Sequence, residues 1–393
     1  MKKRPILCLL VLGSLFACQS VENQKNKPAS AFFTANPQPV TERPVKTLSI
    51  GAQAPDFNLP GIDGRFYSLN DFKQAQVLVV IFTCNHCPTA QAYEGRIKLV
   101  AADYRDKGVA VIAISPNSPL GLLYEELGYS DLGDDYADMQ LRAKDQDFNF
   151  PYLYDGDTQE TSLQYGPAAT PHAFVFDRGR KLCYTGRLDK MEKPGAANAE
   201  DLRNAIDATL AGKPVAEPVT PTFGCSTKWG WKSDLKEKVN REWAEKAVTL
   251  TRLDAKGVES QMKNAESKKL RLINVWATWC GPCMLEYPEF IVIQRMFGAR
   301  DFEFVSLSAD KPEKQEKVLE FLKNKQSAVA NYQFGSDDKY ALINAVSKDW
   351  NGALPFTALI EPGGKIIWQH QGEVDFPVLK RLIVEHPMVG RYY

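Results

Sequence analysis

The feature that most limits what this chain can fold into is an order of local signals that occurs twice. The apolar run Val77 to Phe82 leads into Cys84-Asn85-His86-Cys87, a helical stretch follows to about Tyr104, and a second apolar run spans Val109 to Ile114. The order returns 196 residues later (280 − 84), as Leu270 to Trp276, Cys280-Gly281-Pro282-Cys283, a helix to about Phe297 and the run Phe302 to Leu307. Unbroken apolar runs beside helical periods predict strands buried on both faces of an α/β sheet. Each half later sets a proline before another strand: Thr170-Pro171 before Ala173 to Phe176, and Leu354-Pro355 before Phe356 to Ile360. A turn and a further strand after each predict a hairpin. The helices Glu200 to Leu210 and Val378 to Glu385 are expected to close the two units. From first cysteine to proline the halves measure 87 (171 − 84) and 75 (355 − 280) residues, so the first is expected to hold an insertion around Ser115 to Asp147.

With 393 residues the chain is long enough for two or three domains. The expected division is a first domain over 48–212, a mobile Pro-rich linker over 213–244 that carries Cys225, and a second domain over 245–393. Lys and Arg number 48 against 48 Asp and Glu, so no net charge draws the chain to nucleic acid.

Lys2, Lys3 and Arg4 precede an apolar run from Ile6 to Phe16. At about 1.5 Å per residue this run is too short to cross a hydrocarbon layer of about 30 Å, and it reads as a signal peptide over 1–17. Leu15-Phe16-Ala17-Cys18 resembles a bacterial lipobox, which implies lipidation of Cys18. The alternative is a plain secretory signal with an incidental cysteine. Residues 18–47 are polar and Pro-dotted, as expected of an unstructured tether. The expected location is the bacterial cell envelope, facing the periplasm and anchored by lipid.

A strand, a C-x-x-C at a helix start and a proline before a later strand resemble the thioredoxin fold, here twice in tandem as two three-layer α/β/α domains. Asn274 to Cys283 followed by Glu286 and Pro288 resembles the TlpA-type membrane-anchored thioredoxins. Gly51 to Phe57, Thr170 to Asp177 and Phe223-Gly224-Cys225-Ser226 resemble redoxin domains of the AhpC/TSA, peroxiredoxin-like group. The resemblance implies thiol–disulfide exchange with proteins, fed by an upstream membrane or periplasmic donor, with no cofactor and no metal. It makes Cys84 and Cys280 the attacking thiols, Cys87 and Cys283 the resolving ones, and Pro171 and Pro355 cis residues shaping the client grooves.

A thiolate does the attacking, and a helix N-terminus favours that anion. His86 is a candidate for lowering the Cys84 pKa, which would make the first site the more oxidising, and Glu286 for taking the Cys283 proton. Asn274 holds the position of the aspartate found in cytosolic thioredoxins, so Glu286 is expected to do its work. Cys225 is a possible accessory thiol carrying electrons between the pairs; Cys183 is a passenger. His172 either lines the first groove or merely starts a strand. A four-cysteine zinc site and structural disulfides are the alternatives for the C-x-x-C pairs. For function the alternatives are a thiol peroxidase and a client-binding module without turnover. The peroxidase pattern Pro-x-x-x-Thr-x-x-Cys is unmet: counting back from Cys84 meets Val77 and Ile81, and from Cys87 it meets Val80 and Cys84.

Overall fold

The structure, a computed structural model, describes residues 33–392. The signal peptide and Cys18 lie outside the described residues. The first unit begins with β1 (Asn58–Pro60) and β2 (Phe66–Ser68), then β3 (Val77–Phe82), α1 (Pro88–Tyr104) and β4 (Val109–Ser115). It continues through α2 (Tyr136–Asp145), β5 (Tyr152–Tyr154), α3 (Glu160–Tyr165), β6 (His172–Phe176), β7 (Leu182–Gly186) and α4 (Glu200–Leu210). After α5 (Ser233–Ala244), the second unit runs β8 (Thr251–Leu253), α6 (Ala255–Lys263), β9 (Leu270–Trp276), α7 (Gly281–Phe297) and β10 (Phe302–Ser308). It ends with α8 (Gln315–Asn324), β11 (Ala330–Phe334), α9 (Lys339–Val346), β12 (Phe356–Ile360), β13 (Ile366–Gln371) and α10 (Phe376–Glu385).

Besides the two-stranded β1-β2 pair there are two large sheets, ordered β5-β4-β3-β6-β7 and β13-β12-β9-β10-β11-β8. In each, the strand before the C-x-x-C pairs parallel with its successor and antiparallel with the strand after the proline. Side chains alternate across β3. Val77, Val79 and Ile81 pack with Tyr93, Ile97 and Val100 of α1 and Leu202 and Ile206 of α4. Leu78, Val80 and Phe82 pack on the opposite face with Phe57, Tyr165 and Phe174. Each such fully buried side chain contributes about 1.5–3 kcal/mol, which is why the β-branched run must stay central. The second sheet is likewise covered by α7, α8 and α10 on one face and by α6 and α9 on the other. Asp135, Asp254, Asp338 and Asp375 cap α2, α6, α9 and α10 with their carboxylates.

Two segments expected to be loose are docked. From Phe33 on, the tether lies along the first unit: Phe33 stacks edge-on to Tyr136 at 4.7 Å, and Asn36 and Gln38 bond Asp157. An aromatic ring with an apolar socket outweighs the polar composition around it. The Pro-rich stretch after α4 is also fixed. Thr220 bridges Tyr184 and Arg187, Lys228 bonds Asn117 and Ser118, and Trp229 is buried. The reason is backbone pairing: the Thr185 N–H donates to the Pro218 carbonyl and the Thr220 N–H to the Thr185 carbonyl, so the stretch runs beside β7.

The insertion carries the contact between the units. Leu122 and Leu127 join the core around α7, while Arg295 pairs with Glu125 at 2.8 Å and Arg391 with Asp131 at 2.8 Å. Among the described residues no helix is long and apolar enough to cross a membrane.

Candidate active site

In the second unit, β9 delivers the chain to the N-terminus of α7, where Cys280 is the N-cap and is joined to Cys283 by a disulfide. The Cys283 N–H donates to the Cys280 sulfur at 3.3 Å. Free helix amides and the positive dipole end therefore face the sulfur that becomes a thiolate on reduction. The Leu354-Pro355 bond is cis and opens β12 beside the disulfide. Next to it lies a cleft of about 350 Å³ walled by Trp279, Phe334, Tyr340, Ile343, Trp350 and Leu354. Trp279 and Tyr340 are 69% and 67% exposed, so this apolar wall is open to solvent.

Glu286 lies one helical turn beyond Cys283 and is buried. It accepts from the Val374 N–H at 3.1 Å and from the Asn274 amide at 3.5 Å, and Asn274 is held in turn by Thr357. Burial pushes its carboxyl up to about 7 against these bonds. A buried acid that titrates near neutrality can take or return a proton there.

The first site has another register. Val275 pairs with Phe356, the residue after Pro355, and Cys280 comes five residues on. Phe82 pairs with His172, the residue after the cis Pro171, and five residues on comes Cys87. Cys87 is also the N-cap of α1. Cys87 thus stands where Cys280 stands, His86 where Trp279 stands, and Cys84 where Ala277 stands. By register and N-cap position, Cys87 rather than Cys84 is the counterpart of Cys280, although the motif alone matches Cys84 to it. The physical reason is Pro88, which has no N–H to lose and a φ suited to the first helical residue, so the helix starts after Cys87.

Both thiols are free and buried. Cys84 Sγ is 3.2 Å from Thr170 Oγ1, and Cys87 Sγ is 3.4 Å from the Thr170 carbonyl oxygen. Hydrogen bonds from the Cys225 and Cys84 thiols outweigh burial and hold Cys87 far below the ordinary thiol range, with His86 assisting. Burial pushes Cys84 the other way. The surroundings therefore favour the thiolate on Cys87 over that on Cys84, and His86 is among the groups that lower Cys87.

His86 is buried with its Nδ1 2.5 Å from Asp134 Oδ2. Burial alone would lower its pKa, but the Asp134 carboxylate overcomes this and raises it. Asp134 also accepts from the Asn85 and His86 amides at 2.8 and 3.0 Å and from Asn117 at 2.7 Å. It arrives from the insertion, 47 residues after Cys87 (134 − 87), with no motif around it, so sequence reasoning missed it. Cys84, His86 and Asp134 each bring a ligand atom within 4.8 Å of the others. The His86–Asp134 contact is a short hydrogen bond between a ring nitrogen and a carboxylate.

Of the other expected residues, His172 and Cys183 stand apart from both sites and Cys225 joins the first. His172 is buried between the Ala168 amide and Thr185 and is kept neutral by burial, which lowers it to about 3. Cys183 is a partly buried thiol bonded to the Lys181 carbonyl, outside both sites. Cys225 packs on Cys84 and Cys87. Cys280 is 15 residues from Arg295 at the interface with the first unit (295 − 280), about 22 Å of helix.

The AhpC/TSA family matches residues 50–185, and the Redoxin family matches residues 239–383. This chain is a tandem of two thioredoxin-fold redoxin domains. The tandem is 25% identical over 143 residues to the thiol:disulfide interchange protein HelX of Rhodobacter capsulatus, covering 36% of this chain and 74% of that protein. It is 26% identical over 137 residues to the thiol-disulfide oxidoreductase ResA of Bacillus cereus, covering 35% and 74%. Among solved structures, a hypothetical protein from Sinorhizobium meliloti shares 34% identity over 47% of this chain and 97% of its own, with a TM-score of 0.42.

Proposed function

We propose that this thiol–disulfide oxidoreductase works outside the cytoplasm, tethered through lipid on Cys18, and exchanges disulfides with protein clients at two separate sites. The observation that carries the reading is the Cys280–Cys283 disulfide at a helix N-terminus, beside a cis proline and an open apolar cleft. At this site a client thiolate attacks Cys280. The S–S bond breaks, and its electron pair passes to Cys283, whose proton is supplied through Glu286. A second client thiolate then displaces Cys280, whose thiolate the helix amides stabilise as a leaving group. The result is a client disulfide and a reduced enzyme pair; run in reverse, the same steps reduce a client disulfide. At the first site the exchanging sulfurs are those gathered around Cys87 at the N-terminus of α1. An upstream membrane or periplasmic dithiol or disulfide resets each pair.

The test is insulin reduction by dithiothreitol, together with trapping. The intact chain is expected to accelerate insulin reduction, with loss in a variant lacking all four C-x-x-C cysteines. Cys283→Ser is expected to accumulate mixed disulfides at Cys280. A cysteine-independent effect would make the protein a client-binding module. Labelled fatty acid should mark the wild type but not Cys18→Ala.

A further inference from the structure

The groove beside Pro171 is already filled by the chain itself. Cys225 forms an antiparallel bridge with Thr170, the residue before the cis proline; the Thr170 N–H donates to the Cys225 carbonyl at 2.9 Å. The Thr170 hydroxyl reaches the same carbonyl at 3.3 Å, and the Cys225 N–H points at the Cys87 sulfur, also at 3.3 Å. Gly224 makes this approach possible. Its φ is +127°, and a Cβ there would lie 2.1 Å from the Thr170 carbonyl oxygen. Thr227 bonds the Pro167 carbonyl, and Lys228 bonds the insertion through Asn117 and Glu126, so the segment is pinned just after the cysteine. In the second unit no such bridge meets Leu354 among the described residues. Trp279 is 69% exposed there, whereas its counterpart His86 is 2% exposed. Cys84 and Cys87 are 2% and 0% exposed, and Cys225 is the partly exposed thiol of the three.

We propose that residues 223–226 occupy the first site's groove as a built-in client, and that Cys225 is the thiol through which this site exchanges electrons with proteins, by way of a Cys87–Cys225 disulfide. The inference rests on the reading of the first site as a thiol-exchange centre. A client thiolate attacks the outward sulfur, Cys225. The Cys87–Cys225 bond breaks, its electron pair stays on Cys87, and a Cys225–client disulfide forms. A second client thiolate attacks the client sulfur and closes the client disulfide. Cys225 leaves and takes up one proton. Two client thiols are oxidised, the enzyme disulfide gains two electrons, and the second client proton goes to solvent. A protein or small-molecule disulfide restores Cys87–Cys225 by the reverse steps. The stabilised Cys87 thiolate is the better leaving group, so attack is directed to Cys225.

The experiment uses the full chain carrying Cys280→Ser and Cys283→Ser, which leaves the first site alone. It is oxidised with glutathione disulfide, quenched with acid and alkylating agent, digested without reduction and mapped by mass spectrometry. A Cys87–Cys225 linked peptide is expected, and it should persist when Cys84→Ser is added. With a dithiol peptide as client, Cys225→Ser should slow client oxidation on the order of tenfold or more. A Cys84–Cys87 link with Cys225 fully alkylated would overturn the inference. So would an active parent whose rate is untouched by Cys225→Ser, which leaves the first-site reading standing. A parent that oxidises no client removes the first-site reading as well, and is told apart by its inactivity with Cys225 present.

Discussion

Replacing Glu286 by glutamine separates two consequences of one buried carboxyl. Its pKa rises from 4.5 to about 7 because burial penalises the charged form. The folded chain therefore holds a proton that the unfolded chain releases between those values. Stability is fully supported below pH 4.5, falls as pH rises, and has lost this contribution above about 7. A shift of that size corresponds to on the order of 2–3 kcal/mol after allowing for residual solvent contact. Glu286→Gln cannot ionise, so its advantage over the wild type should grow by that amount between pH 4.5 and pH 8. With a urea m-value of about 2 kcal/mol/M, the midpoint difference widens by about 1 M. Asp138 and Asp155 are also raised to about 7 by burial, but they are common to both proteins and cancel in the comparison. Urea titrations of both proteins at the two pH values, followed by tryptophan fluorescence, check the energetics. Insulin reduction checks the chemistry, where the variant should lose on the order of a hundredfold. A midpoint difference that does not change with pH refutes the burial argument. A stabilised variant with full activity refutes the proton-transfer role.

Three further outcomes are expected. Asp134→Asn removes the carboxylate that raises the His86 pKa, so the Cys87 thiol pKa should rise, measured by thiolate absorbance during titration. Gly224→Ala adds a Cβ 2.1 Å from the Thr170 carbonyl and should expel Cys225, read as faster alkylation of Cys87. Asp189→Ala leaves the buried Arg96 without the carboxylate whose two oxygens both accept from its Nη1 at 2.9 Å and should cost about 3–5 kcal/mol, measured by denaturant unfolding.

The strands flanking each C-x-x-C, the helices after them and both pre-strand prolines were legible, because long apolar runs and proline have few alternative uses. The short strands β5, β8 and β11 were not; three to five residues hold too little periodicity to distinguish strand from loop. At the site, matching Cys84 to Cys280 followed the spelling of the motif, while Pro88 carried the information that the helix begins later. Asp134 was illegible because its partner is chosen by the fold of an insertion. The docking of Cys225 depends on Gly224 meeting Thr170 across 54 residues (224 − 170), which no local pattern records.

The position of the second disulfide at the far end of α7 has a consequence for how the molecule stores electrons. Thiol exchange needs sulfur atoms in contact, and about 22 Å of helix lies between Cys280 and the surface that joins the units. On the reading proposed above, the two pairs of one molecule in this arrangement would exchange electrons through a visiting thiol protein rather than directly. One pair could then stay oxidised while the other stays reduced, and a single chain would present two potentials to its surroundings.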